Sequence, residues 1–214
     1  MTPRRHPPGD LLASCAAGTL RPGASLVVQA HLARCAECAR DAGFYESLGG
    51  ALLEVETPVA MSPGALDRAA AVLDAAPTAP VRARARASAE AALLPGQLEG
   101  LGVGRRRWIA PGVWVTPLRT EHRSRELVYL LRIGSGMVLP RHTHSGQEFT
   151  CVLEGSFADR DEVYGPGDFV ATDERVEHRP VVGRDGACVC LASTDAPLVM
   201  RDVLGRIFQP FAGI

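Results

Sequence analysis

Over the first 76 positions apolar residues recur three and four apart, the spacing of helices that each bury one face. Asp10 is placed to cap a short helix, LLASCAAG, that stops at Gly18. A second helix is expected after RPGAS, through LVVQAHLAR, and a third over roughly 38–53. Ser62 and Pro63 open a fourth, with Ser as N-cap and Pro at the first helical position, and it runs to about 76. Residues 77–107 lose this pattern. They are rich in Ala, Pro and Arg and read as a linker with room for a short helix. From Trp108 the period shortens. GVWVTPL, ELVYLLRI, EFTCVLEGSF, DFVAT and ACVCLAS are short β-rich runs split by Gly, Pro, Asp and Ser, which predicts an all-β sandwich or barrel. The apolar closing stretch, PLVMRDVLGRIFQPFAGI, suits a short helix or a strand lying on either half. No internal repeat is visible.

Composition narrows the function classes. The 214 residues allow one large domain or two small ones. All 23 basic residues are Arg, yet net charge is −1, so no global basic balance argues for nucleic acid. The helical half carries 6 Arg against 8 acids, wrong for a phosphate-binding face. The linker is locally basic, six Arg against Glu90 and Glu99, and reads as a solvated connector. The N-terminus lacks the apolar run of a secretory signal, and no stretch reaches a membrane span. A reducing cytoplasm is therefore expected, where six cysteines act as metal ligands, redox thiols or small core residues.

HLARCAECAR places His31, Cys35 and Cys38 within eight residues. Two thiols three apart can share one Zn²⁺ from a single turn, and His31 lies in reach from the preceding helix end. The fourth ligand is His6 or Cys15. Cys15 shares the apolar face of Leu11 and Leu12, whereas His6 sits in a polar, Pro-flanked arm with no core to join, so His6 is preferred. Simple packing and a metal-free CxxC redox pair are the alternatives. A helical domain this small has little core, and a metal would help hold it.

The second cluster is sharper. Gly136 is followed by His142-x-His144, Glu148 and Gly155, and His178 lies in VEHRP downstream. Side chains alternate along a strand, so His142 and His144 face one side, and Glu148 opens the next strand with the same facing. Three imidazoles and one carboxylate around a cavity suit a divalent transition metal. His122 stands alone in TEHRSRE and reads as exposed loop. Cys188 and Cys190 alternate in ACVCLAS, either as core residues or as oxidant-sensitive thiols, and are poorly placed for a mutual disulfide.

The spacing G-x5-HxH-x3-E-x6-G resembles the first metal motif of the cupin superfamily. Gly167 stands eleven residues before His178, farther than in the usual second motif. His-x3-Cys-x2-Cys with an upstream ligand resembles a zinc-binding anti-sigma domain. The two in this order resemble the ChrR family of anti-sigma factors. The resemblance implies a zinc-bound four-helix domain (1–80), a linker (81–107), a cupin barrel or jelly roll (108–195) and a tail (196–214). It implies zinc on His6, His31, Cys35 and Cys38, and Zn²⁺ or another divalent transition metal on His142, His144, Glu148 and His178. It also implies a cytoplasmic, non-enzymatic regulator. Such a protein holds an extracytoplasmic-function sigma factor one to one, without touching DNA or membrane, and releases it under stress such as singlet oxygen. The competing expectation is a metal-dependent cupin oxygenase or isomerase with a regulatory N-terminal domain.

Overall fold

The computed structural model describes residues 2–75, 91–98, 101–120 and 126–200. Four helices, α1 (Gly9–Ala16), α2 (Pro22–Leu32), α3 (Ala36–Glu54) and α4 (Ala65–Ala75), occupy the expected stretches. Their ends differ in instructive ways. Pro8, not Asp10, holds the α1 N-cap position, and Asp10 sits in the first turn, accepting the Leu11 N–H at 3.0 Å. Helix α2 starts at Pro22, whose missing N–H costs nothing there. Helix α4 starts after Gly64, whose φ of 70° no helical residue can have, so Ser62 and Pro63 form a turn before it.

The β half comprises β1 (Gly102–Val103), β2 (Arg107–Ala110), β3 (Val113–Arg119), β4 (Leu127–Ile133), β5 (His142–His144) and β6 (Glu148–Glu154). It continues with β7 (Phe157–Asp159), β8 (Glu162–Tyr164), β9 (Phe169–Thr172), β10 (Val181–Val182), β11 (Cys188–Thr194) and β12 (Leu198–Met200). The main sheet runs β1-β3-β4-β11-β6-β9, with β2 paired to β3, and the named pairs are antiparallel. Facing it are β10-β7-β8 and the pair β12-β5.

Alternation along the main sheet divides the core in two. Val115, Tyr129, Val152, Cys190 and Ala192 point into the barrel, where Phe157, Val182 and Leu198 meet them. Leu118, Val128, Leu130, Cys151, Leu153 and Leu191 point outward and are covered by Leu12, Val27 and Val28 of the helical half. Val27 and Val28 are fully buried there, worth roughly 1.5–3 kcal/mol each. Helix α2, with Leu12 of α1, is thus a second layer on the sheet.

Part of the expected linker is folded. Two single 3₁₀ turns, Ala91–Leu93 and Gly96–Leu98, bury Leu94 and Leu98 in the core shared by helices and sheet. Gly102–Val103 and Leu198–Met200, both outside the expected 108–195 range, pair within the sheets. His122, residues 76–90 and residues 201–214 lie outside the described residues.

Candidate metal centres

Each cluster is assembled by elements distant in sequence. In the helical half, His31 lies in the last turn of α2, Cys35 is the extended N-cap of α3, and Cys38 sits in its first turn. The N-terminal arm brings in His6, whose Nδ1 is 3.5 Å from Cys35 Sγ and 3.3 Å from Cys38 Sγ. Ligands of one tetrahedral zinc stand roughly 3.3–3.8 Å apart, so these spacings fit. The candidate ligand atoms of His6, His31, Cys35 and Cys38 all lie within 4.8 Å of one another. Cys15 stays out of this group, its sulfur 3.7 Å from Ser25 Oγ.

His31 supplies the strongest test of fit. The ring is fully buried, and its Nδ1 contacts Gly167 O at 2.7 Å. A carbonyl can only accept, so Nδ1 carries the proton and Nε2 has a bare lone pair. That Nε2 is buried with no hydrogen-bond partner. Burial also lowers the His31 pKa, favouring the neutral, ligating form. Burial, followed by the neighbouring Cys35, pushes the Cys38 thiol up to about 12. A bound cation would hold that sulfur as the thiolate at neutral pH.

In the barrel, His142 and His144 stand on β5, and His178 pairs with His142 through two backbone hydrogen bonds of 3.1 and 3.0 Å. The lengthened second motif therefore still delivers its histidine. His142 Nδ1 donates to Pro140 O at 2.8 Å, and His178 Nδ1 contacts Asp159 Oδ2 at 3.1 Å. His144 Nε2 and His178 Nε2 are left facing each other at 3.1 Å. At that distance the two nitrogens can share one proton or, with both rings protonated on Nδ1, one cation. Burial, then the neighbouring His142 and His178, lowers the His144 pKa to about 3, so this ring stays neutral.

Glu148 stands a step behind. Its Oε1 accepts the Tyr129 hydroxyl at 2.7 Å, and its Oε2 is 3.4 Å from His144 Nδ1. It lies outside the three-histidine group whose ligand atoms fall within 4.8 Å of one another. Burial raises its carboxyl to about 7 against the opposing pull of the Tyr129 bond. The centre opens on a cavity of about 110 Å³ whose walls include Ile109, Val113, Leu131, Leu139, Val170 and Leu198.

Sequence reasoning missed the groups behind the ligands: Tyr129, Asp159, Asp168 and the Gly167 carbonyl. Asp159, in SFADR just after the motif's last glycine, had the best signal. Cys188 and Cys190 share one face of β11 with sulfurs 3.7 Å apart inside the barrel, and Cys190 lines the cavity. The hydrogen bond with Cys188, then burial, pushes the Cys190 thiol up.

Comparison with known proteins gives the family. Residues 104–196 match the family described as the ChrR cupin-like domain. Over 99% of both chains the sequence is 41% identical to the anti-sigma-E factor ChrR of Cereibacter sphaeroides. The chain belongs to the ChrR family. Its fold is similar to the crystal structure of Rhodobacter sphaeroides SigE in complex with the anti-sigma ChrR. That similarity has a TM-score of 0.74 at 39% identity and covers 91% of this chain and 100% of the other. No helix among the described residues is long and apolar enough to cross a membrane.

Proposed function

We propose that this chain is an anti-sigma factor that binds one extracytoplasmic-function sigma factor through α3 and α4 and releases it when the barrel senses an oxidant such as singlet oxygen. It acts in the cytoplasm, where Cys35 and Cys38 stay reduced and available to zinc. The observation that carries the reading is an uncovered apolar surface. None of the residues of α4 is buried, yet Leu66 and Leu73, one face of the helix, are 74% and 76% exposed. Phe44, Leu48 and Leu52 form a second stripe at four-residue spacing on α3, also exposed. Apolar stripes of this extent mark a partner surface. The anti-sigma relative and the SigE complex give the class of partner.

Zinc on His6, His31, Cys35 and Cys38 would fix the α2–α3 junction and so aim α3. A divalent metal on His142, His144 and His178, with Glu148 beside it, would supply a centre whose bonds an oxidant or small ligand can alter. The apolar cavity gives such a molecule a way in. We read this as sensing rather than turnover: Glu148 and Asp159, two acidic groups beside the centre, are engaged by Tyr129 and by His178.

Leu66→Asp/Leu73→Asp tests the docking surface. Both side chains are exposed, so thermal unfolding of the free protein stays at the wild-type temperature. Affinity for the sigma factor encoded beside this gene, measured by calorimetry, falls by roughly 100-fold or more. Wild-type affinity would remove α4 from the interface.

A further inference from the structure

The zinc cluster of the helical half has an unassigned neighbour in the barrel. The turn between β8 and β9, Gly165-Pro166-Gly167-Asp168, reaches out to the N-terminal arm and the end of α2. Asp168 is 4% exposed, and its Oδ1 accepts the backbone N–H groups of Arg4 at 2.6 Å and Arg5 at 3.0 Å. Phe169 N–H returns a bond to Arg5 O at 3.0 Å. These three bonds hold the two residues directly before His6. Gly167 O takes the Nδ1 proton of His31. Its φ is +91°, and a Cβ there would stand 2.6 Å from Pro3 Cγ, so glycine lets arm and turn close together. The turn is itself braced. Asp168 Oδ2 accepts Gly165 N–H at 2.7 Å, and Gly167 N–H donates to Val152 O at 2.8 Å.

We propose that the zinc centre of the helical half is completed by the barrel: Asp168 positions the arm that carries His6, and Gly167 O positions His31. The proposal rests on zinc binding at His6, His31, Cys35 and Cys38 and goes beyond it by naming residues from the other half that set the affinity. A buried carboxylate accepting two consecutive N–H groups fixes an otherwise mobile arm. A carbonyl on Nδ1 fixes the tautomer and ring plane of His31, the usual role of a group behind a metal ligand. By linkage, metal bound at the helices stabilises the turn in return.

The test uses the full-length protein loaded with Co²⁺. Only the centre with Cys35 and Cys38 gives thiolate-to-cobalt charge-transfer absorption, so the two centres are read separately in one sample. Zinc affinity at the same centre comes from competition with a chelator. Asp168→Ala is expected to weaken the thiolate centre by roughly 10- to 100-fold and to perturb its band, with the three-histidine centre unchanged. Asp168→Asn keeps an oxygen for Arg4 and Arg5 but sets an amide N–H₂ against Gly165 N–H. It recovers part of the affinity, and it carries the test should the alanine variant not fold. Wild-type band and affinity in both variants overturn the proposal. So does a loss shared equally by both centres and matched by the fall in unfolding temperature, which would make Asp168 a structural residue only. A wild-type chain without a thiolate band removes the centre itself, and the proposal with it.

Discussion

Imidazoles serve both centres, and three of the five rings are oriented by an oxygen acceptor. His31, His142 and His178 each place Nδ1 against an oxygen acceptor, which leaves Nε2 for a cation. Glu148 is the group whose charge depends on that cation. With burial raising its pKa to about 7, it is mostly protonated at pH 6 without metal and mostly ionised at pH 8. A divalent ion beside it favours the carboxylate, so the proton leaves on binding. Affinity for metal therefore rises with pH up to about 7 through this group and levels off above it. Titration calorimetry in buffers of different ionisation heat counts the protons. Glu148→Gln should release about one proton fewer than wild type at pH 6 and nearly the same number at pH 8. Equal release at pH 6 would mean Glu148 is already ionised in the metal-free barrel.

At the scale of elements, periodicity served where one face is buried and failed where packing is not periodic. Helices α1 to α3 and strands β3, β4, β6 and β11 carry long apolar repeats, and all fall where the spacing puts them. The two side-chain clusters were legible for the same reason, because alternation in His142-x-His144 and one helical turn from Cys35 to Cys38 are local rules. Leu94 and Leu98 are the contrary case. They enter the core from isolated 3₁₀ turns in an Ala- and Pro-rich stretch, and no local pattern marks them. Nor could spacing announce the supporting groups, which reach the ligands across long separations: 136 residues from His31 to Gly167 and 164 from Arg4 to Asp168. The start of α2 against β11 is another such contact. Gly23 N–H donates to Glu126 Oε2 at 2.9 Å, and a Cβ on Gly23 would lie 2.9 Å from Val128 Cγ2 and closer still to Ser193 Oγ. Gly23→Ala should therefore lower stability by about 1–3 kcal/mol, read in chemical denaturation, despite the better helix propensity of alanine. A stabilised variant would show that α2 does not lie this close to the sheet in solution.

Across the whole molecule, one helix touches the surroundings of both centres. Helix α2 is about 16 Å long. At its start Arg21 bonds Gln147, the neighbour of Glu148, and Asp195, which also takes the Gln147 N–H at 2.8 Å. At its end His31 meets the Gly167 turn. Strand β9 makes a second link, from Phe169 beside that turn to Thr172 opposite Glu148. Two centres so joined can still fail in opposite directions. On the proposed zinc site, His31→Ala or Cys38→Ala removes one of four ligands, and structural zinc in small domains is worth about 10 kcal/mol. The α2–α3 junction then loosens, the exposed stripe of α3 loses its aim, and the sigma factor is free without stress. His142→Ala removes a ligand from a barrel that keeps its own apolar core, so the sigma-binding face survives while the signal no longer alters the centre. Transcription from a sigma-dependent promoter, with and without singlet oxygen at matched protein levels, separates the two. The first pair should give activity at or near the fully induced level in the dark. His142→Ala should stay near the uninduced level in both conditions. Constitutive activity in His142→Ala would mean that the barrel metal holds the whole body together rather than reading the signal, and normal induction would mean that the signal enters elsewhere.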